Sequence, residues 1–595
     1  MRKNPTIRFA ACLSVLSLVG SPASPIAARS IVKPQPPMDK ASPVRCNVGE
    51  RDERRYSGGL VGGVAGGPRR IAPMPQMAAP PPPAPPPPNV AMSRAAPSYE
   101  MSAKARIAPP YPYPMPYPQP QDRERYAGKE VASIHAVADT PVSTFSVDVD
   151  TGSYANVRRF LTQGQTPPEA AVRTEEMLNY FRYDYPTPQD RSRPFSVTTD
   201  MTTTPWNADS RLLRIGIKGY DLPRSQRPAT NLVFLVDVSG SMMSQDKLPL
   251  VKTALSMLAD RLTARDRVSI VVYAGAAGIV LDPTSNANYV KAALDCLQAG
   301  GSTAGGQGME LAYATARANY IKGGVNRVIM ATDGDFNVGI SSQDGIEAIV
   351  KKNRESGITL TTLGFGQGNY NEAMMEKVAD IGNGNYAYID TALEAQKVLD
   401  EEMAATLFTI AKDVKIQVEF NPAAVKEYRL IGYENRALAE EDFNNDKVDA
   451  GDIGAGHQVT ALYEIVPANG QGWLPDRRYQ ANRTSRDDKP LADMSELAWL
   501  KLRYKLPDGE NSMLIEKPVA ASMLYTARPP QGDMAFACAV AAFGQKLRGD
   551  KYLGNFSYAD IRRLAGQPSG YLRSEFVKLA SLAEATGGGR RAGLE

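Results

Sequence analysis

The sequence predicts an α/β protein, a doubly wound, mostly parallel, Rossmann-like sheet inserted in a β-sandwich-like domain and followed by a helical C-terminal region. Three observations carry this. The stretch Asn231 to Ser241, Asn-Leu-Val-Phe-Leu-Val-Asp-Val-Ser-Gly-Ser, is an uninterrupted apolar run ending in an acid and two hydroxyls. That is the pattern of a strand buried on both faces that delivers oxygen atoms to the rim of a sheet. From there to about Thr409, strand-length apolar runs alternate with amphipathic helical patterns, as in parallel βαβ units. Alternating strands without long helices between them lie on both sides of this block, which suits one discontinuous antiparallel domain.

In chain order, residues 1–28 have the layout of a secretory signal peptide: Arg2, Lys3 and Arg8, the apolar stretch Phe9 to Gly20, then small residues around Ala23 and Ala27-Ala28. The apolar core is too short to span a bilayer as a helix. Cys12 follows Phe9-Ala10-Ala11 in the manner of a lipoprotein cleavage site, but little apolar sequence precedes it, so anchoring there is the lesser expectation. The expected location is the periplasm, the cell envelope or outside the cell. Residues 29–127 are rich in Pro and Gly, with the run Pro80 to Pro88 and a Tyr/Pro repeat from Pro110 to Pro120. Such a segment buries too little apolar surface to offset an ordering cost of about 1–2 kcal/mol per residue and is expected to be an extended tether.

Residues 128–228 form an N-terminal flank, with strands at 143–149, 195–203 and 212–218 and helices at 153–161 and 173–181. The α/β block covers 229–411. Its strands are expected at 232–236, 268–274, 279–281, 327–332, 359–364 and 386–389, and its helices at 248–262, 289–297, 308–321, 345–355, 371–381 and 393–409. Pro249 falls in the first turn of a helix, where proline is tolerated. Residues 412–520 return to strands, at 414–420, 425–431, 458–466, 497–504 and 512–516. Residues 521–586 are helical, with Phe536, Val540, Phe543 and Leu547 on one face and Leu572, Phe576, Leu579 and Leu582 on another; 587–595 is expected to fray.

Lys plus Arg number 68 against 64 Asp plus Glu, interspersed, for a net charge of +4, so no phosphate-tracking groove and no nucleic-acid partner are expected. The four cysteines, Cys12, Cys46, Cys296 and Cys538, are scattered; they predict neither a disulfide framework nor a thiolate metal site, with Cys296 and Cys538 read as buried free thiols. No later run is apolar enough to cross a membrane.

Three loops carry the chemistry: Asp237-Val238-Ser239-Gly240-Ser241, the Gly-rich segment Gly300 to Gly306 with Ser302 and Thr303, and Thr332-Asp333-Gly334-Asp335. The first and third follow buried strands. In doubly wound sheets ligands bind beyond the carboxyl ends of the strands where strand order reverses, so neighbouring strands there would turn Asp237 and Asp333 into one crevice. Carboxylate and hydroxyl oxygens without thiol or imidazole favour Mg²⁺ or Mn²⁺ over Zn²⁺. Two Asp and three hydroxyls leave a coordination position open for water or a partner's acidic group. The competing use of a lone Asp-x-Ser-x-Ser is to cap the next helix.

Asp237, Ser239 and Ser241, with Thr303 and Asp333, resemble residue for residue the metal-ion-dependent adhesion site of the von Willebrand factor type A domain. The resemblance covers about Asn231 to Thr409. It implies that the two Ser ligate directly, that the Thr and the Asp act directly or through water, and that a partner's carboxylate completes the metal. Asp335 lies beside the site as a possible outer-shell group. The flanks, Ser143 to Thr151 and the region of Phe556-Ser557-Tyr558, resemble bacterial secreted proteins of this class that end in a domain of unknown function. The implied function is metal-dependent binding, adhesion or scaffolding, through an exposed carboxylate of a protein partner, without catalysis. The alternative is a structural envelope protein whose metal is only a staple.

A phosphatase-like hydrolase is the remote alternative. Asp148-Val149-Asp150-Thr151 superficially resembles the nucleophile motif of haloacid-dehalogenase phosphatases, but repeated α/β units do not follow it, and helix capping by Asp150 or Thr151 is the expected role. A serine hydrolase would need a histidine, and His135 and His457 both lie outside the block. The loop Gly300 to Gly308 lacks the Lys of a phosphate-binding loop.

Overall fold

A computed structural model of the chain describes residues 43–46, 124–147, 150–188, 192–301, 305–334, 343–368, 370–399, 407–448, 450–475, 495–507 and 509–591. At its centre is a six-stranded sheet. Its spatial order is Tyr386–Ile389, Thr359–Phe365, Val325–Thr332, Thr230–Asp237, Arg267–Tyr273, Ala277–Thr284. All neighbours are parallel except the last strand, which runs antiparallel along Arg267–Tyr273. From Thr230–Asp237 the chain first builds outward on one side and then returns to build on the other. The reversal therefore lies between Thr230–Asp237 and Val325–Thr332. Every residue of Thr230–Asp237 is buried, because helices cover both faces. On one face the helix Leu248–Ala259 buries Leu248, Val251, Leu255 and Leu258, with a proline in its first turn. On the other, Met309, Ala312 and Tyr313 of the helix Gly305–Ala318 pack against Val233, Leu235 and Tyr273.

The block is an insertion, as the strand registers demonstrate. Val142–Ser146, before it, pairs with Thr409–Phe420, after it; Arg211–Gly219 pairs with Gln458–Pro467 in the same way. Two antiparallel sheets result. One has the order His135–Ala136, Val425–Ile431, Gln458–Pro467, Arg211–Gly219, Phe195–Thr203, and the other Ala437–Leu438, Val142–Ser146, Thr409–Phe420, Glu496–Lys505, Ser512–Ala520. The C-terminal helices pack on the N-terminal flank: the ring of Phe536 lies edge-on to Phe181 at 4.9 Å and to Phe576 at 5.3 Å. Among the described residues no helix is long and apolar enough to cross a membrane.

The structure departs from the sequence reading at five places. Cys46 and Cys296 form a disulfide across 250 residues, where no disulfide and a free Cys296 thiol were expected. Tertiary pairing brings them together: Val44 bridges Leu281 on the edge strand Ala277–Thr284, Arg45 N donates to Val280 O, and Cys296 caps the helix that follows that strand. Cys538 is free and buried, as expected. Residues 43–46 therefore lie along the sheet edge although they fall within the segment expected to be a tether, and Arg125 near its end bridges Asn371.

The helix expected over 393–409 is helical from Ala392 to Leu399 and again at Leu407, with 400–406 outside the described residues, but Thr409 begins a twelve-residue strand. Ladder bonds to three partner strands outweigh the local apolar periodicity there. Thr151 is the N-cap of the helix Gly152–Thr162 but makes no side-chain cap bond. Asp150 instead accepts from Tyr386 N at 2.9 Å and pairs with Arg436 at 2.9 Å, tying the flank to the block, while Asp148 and Val149 lie outside the described residues. The last helix, Tyr571–Arg591, passes through Gly587, where fraying was expected; glycine weakens an established helix without ending it.

Candidate metal centre

Asp237 ends its strand beside Tyr273 on one neighbour and one step beyond the Val236–Ala331 pair on the other, so Asp237 and Asp333 emerge from adjacent parallel strands at the point of reversal. Both are fully buried. Asp237 is held on both oxygens: Oδ1 accepts Ser239 N at 2.9 Å, and Oδ2 accepts Thr332 Oγ1 at 3.0 Å and Tyr273 Oη at 3.1 Å. Burial pushes the Asp237 carboxyl up to about 6; hydrogen bonds from Ser239 and Thr332 oppose that rise, and the neighbouring Asp333 adds to it. The ionised form of Asp237 is thus penalised by its burial and by the nearby Asp333.

The first loop then turns outward. Ser239 is buried, Ser241 is exposed, and their hydroxyls lie 3.0 Å apart. Ser239 occupies the N-cap of the short 3₁₀ turn Gly240–Met243 but makes no side-chain cap bond. Capping therefore does not consume these hydroxyls. Backbone bonds seat the second loop on the first, from Gly300 N to Val238 O at 2.8 Å and from Gly240 N to Gly301 O at 3.1 Å. Gly301 has φ +82°, which favours glycine. Thr303 lies outside the described residues, as does Asp335. In the third loop, Gly334 N donates to Thr332 Oγ1 at 3.1 Å, and a Cβ at Gly334 would lie 2.6 Å from Asn371 N.

Sequence reasoning missed Lys247. Its ammonium donates to Asp333 Oδ2 at 2.9 Å, with 8% of the side chain exposed. The stem lies over Gly366, where a Cβ would come within 2.3 Å of it, and Tyr388 Oη donates to Gly366 O at 2.7 Å. A lysine just before a helix reads as a solvated surface charge; only the adjacency of the two loops reveals its partner.

The donors present, two carboxylates and two hydroxyls, suit a hard divalent cation. Among the described residues no group of three or more His, Cys, Asp and Glu could by itself hold a metal ion.

The fold and these loops define a von Willebrand factor type A domain protein. The family model of that domain matches residues 231–402, a model described as von Willebrand factor matches 120–214, and one described as the C-terminal region of the uncharacterized protein YfbK matches 405–586. The uncharacterized protein YfbK of Escherichia coli (strain K12) is 50% identical over 475 residues, covering 77% of this chain and 81% of that protein, and the chain belongs to the YfbK family. A UPF0353 protein of Mycolicibacterium vanbaalenii is 27% identical over 199 residues, 29% of this chain and 59% of that protein. Among solved structures, a von Willebrand factor type A protein from Catenulispora acidiphila matches 69% of this chain and 89% of its own at 15% identity, with a TM-score of 0.36.

Proposed function

We propose that this chain is an exported, non-catalytic protein-binding module for adhesion or scaffolding. It holds Mg²⁺ or Mn²⁺ at Asp237, Ser239, Ser241, Thr303 and Asp333 and captures an acidic group of a protein partner through the cation. The observation that carries this reading is the meeting of two buried carboxylates with two hydroxyls that cap no helix, at the reversal of a doubly wound sheet. The site opens toward solvent on the Ser241 side, where Met243 is 69% exposed and offers apolar contact beside the ion. The Cys46–Cys296 disulfide supports export, because such bonds persist in oxidising compartments.

Thermal unfolding of residues 29–595 with and without Mg²⁺ or Mn²⁺ tests the metal. At roughly 100 times its dissociation constant a ligand of the native state adds about 2.7 kcal/mol. The wild type should therefore gain several degrees, and Asp237→Ala none. A wild-type midpoint indifferent to millimolar metal sinks the metal site. Capture of an envelope protein that survives both chelation and Asp237→Ala would instead make the cation a staple.

A further inference from the structure

The position of Lys247 deepens the reading above and rests on it. Its ammonium is already in contact with one of the two carboxylates that would hold the cation. The contact is built into the fold, since the stem fills the space over Gly366 and Lys247 ends the loop that begins at Asp237. A buried ammonium is costly without a counter-charge, so Lys247 and Asp333 hold one another in place. A divalent ion bound by Asp333 must enter beside this resident positive charge.

We propose that Lys247 is a built-in competitor that keeps the divalent cation weakly held until a carboxylate from outside arrives. Lys247 offsets part of the negative charge that Asp333 and Asp237 offer a divalent ion, and an external carboxylate restores it. Metal and carboxylate then bind cooperatively, each raising the affinity for the other by the same factor. Without the lysine's charge the ion would be held more tightly, and the external carboxylate would add less.

Mn²⁺ binding to residues 29–595, followed by calorimetry and by electron paramagnetic resonance with and without acetate, tests this. Lys247→Gln keeps a hydrogen-bond donor to Asp333 without the charge. It should tighten Mn²⁺ binding about tenfold or more, the Coulomb penalty of a charge about 5 Å from a divalent ion, and should reduce the gain that acetate gives the wild type. Lys247→Arg, which keeps the charge, should bind Mn²⁺ as the wild type does. Equal or weaker Mn²⁺ binding by Lys247→Gln overturns the proposal while leaving the metal site standing, and so does Lys247→Arg behaving like Lys247→Gln. Binding by Lys247→Gln where the wild type shows none supports it. Mn²⁺ binding by neither protein overturns the metal site and this proposal together.

Discussion

Arg429 and Lys247 are both buried cations set against carboxylates, at opposite ends of a contrast. Arg429 joins the sandwich to the C-terminal helices with only 1% of its side chain exposed. Its guanidinium donates to Glu464 at 2.8 and 3.0 Å and to Asp550 at 2.8 Å, and lies 4.7 Å over the ring of Tyr552. Glu464 is in turn satisfied by Trp206, Asn207 and Ser210. Burial works against the Arg429 charge, but Glu464 and Asp550 override it and hold its pKa above the ordinary value. At the sheet rim one ammonium touches Asp333, and Asp237 sits close by with its carboxyl pushed up to about 6. The first cluster is closed by its own side chains. The second sets one described ammonium against Asp333 beside Asp237, and it is the cluster proposed above as a site rather than a joint.

The largest expected effect is therefore at the joint. Arg429→Met leaves Glu464 and Asp550 buried without their cation and should cost about 3–5 kcal/mol, read as a fall in urea midpoint. If the contrast is right, the surviving folded fraction keeps the metal-induced rise in thermal midpoint, because the cluster and the rim share no side chain. A loss of both would join the two regions.

Glu372 supplies a third way of closing a buried cluster, with a proton. It is fully buried and faces Arg173 at 3.1 Å, and Arg173 also pairs with Glu176 at 3.0 Å and Glu376 at 2.8 Å. Three carboxylates thus share one guanidinium, and Asn156 donates to Glu372 at 3.1 Å. Burial pushes the Glu372 carboxyl up to about 8 against the pull of Arg173, from an ordinary value of 4.5. Between those two values the folded chain holds a proton that the unfolded chain has released. Stability should therefore fall as pH rises through that window, by up to about 1.4 kcal/mol per pH unit, and Glu372→Gln should flatten that slope. Unfolding free energies at pH 5, 6, 7 and 8 measure it. An unchanged slope in Glu372→Gln would place the titration elsewhere.

How much of this could be read from the sequence follows from the range of the interactions. Leu232 to Asp237 announces itself because burial on both faces leaves no polar alternation, and Asp237, Ser239 and Ser241 are spaced by one loop. Asp333 needed only the inference that its strand is a neighbour. Lys247 was invisible because its partner is 86 residues away, and the Cys46–Cys296 pair because one member lies in a Pro-rich stretch and the other in a helical pattern. Asp150 carried a local signature, helix capping, that a tertiary role displaced: Tyr386 N and Arg436 claim its oxygens. Local periodicity likewise carried the helix as far as Thr409, where pairing with distant strands begins a strand instead.

The smallest effects sharpen the contrast on a single residue type. Ser557 Oγ accepts from Asp560 N at 3.2 Å and Asp560 Oδ2 accepts from Ser557 N at 2.9 Å, a capping box on the helix Tyr558–Ala565. Its hydroxyl is spent on structure, so Ser557→Ala should cost about 1 kcal/mol and leave the metal response intact. Ser241 is exposed and caps nothing, its hydroxyl meeting only that of Ser239 among the described contacts. Ser241→Ala should change stability in chelator by no more than about 0.5 kcal/mol yet reduce the shift that Mg²⁺ or Mn²⁺ produces. Paired thermal melts of the two variants, in chelator and in metal, separate the roles. If Ser241→Ala lost stability in chelator and kept the metal shift, its hydroxyl would belong with that of Ser557, and the rim would lose one of its two serine donors.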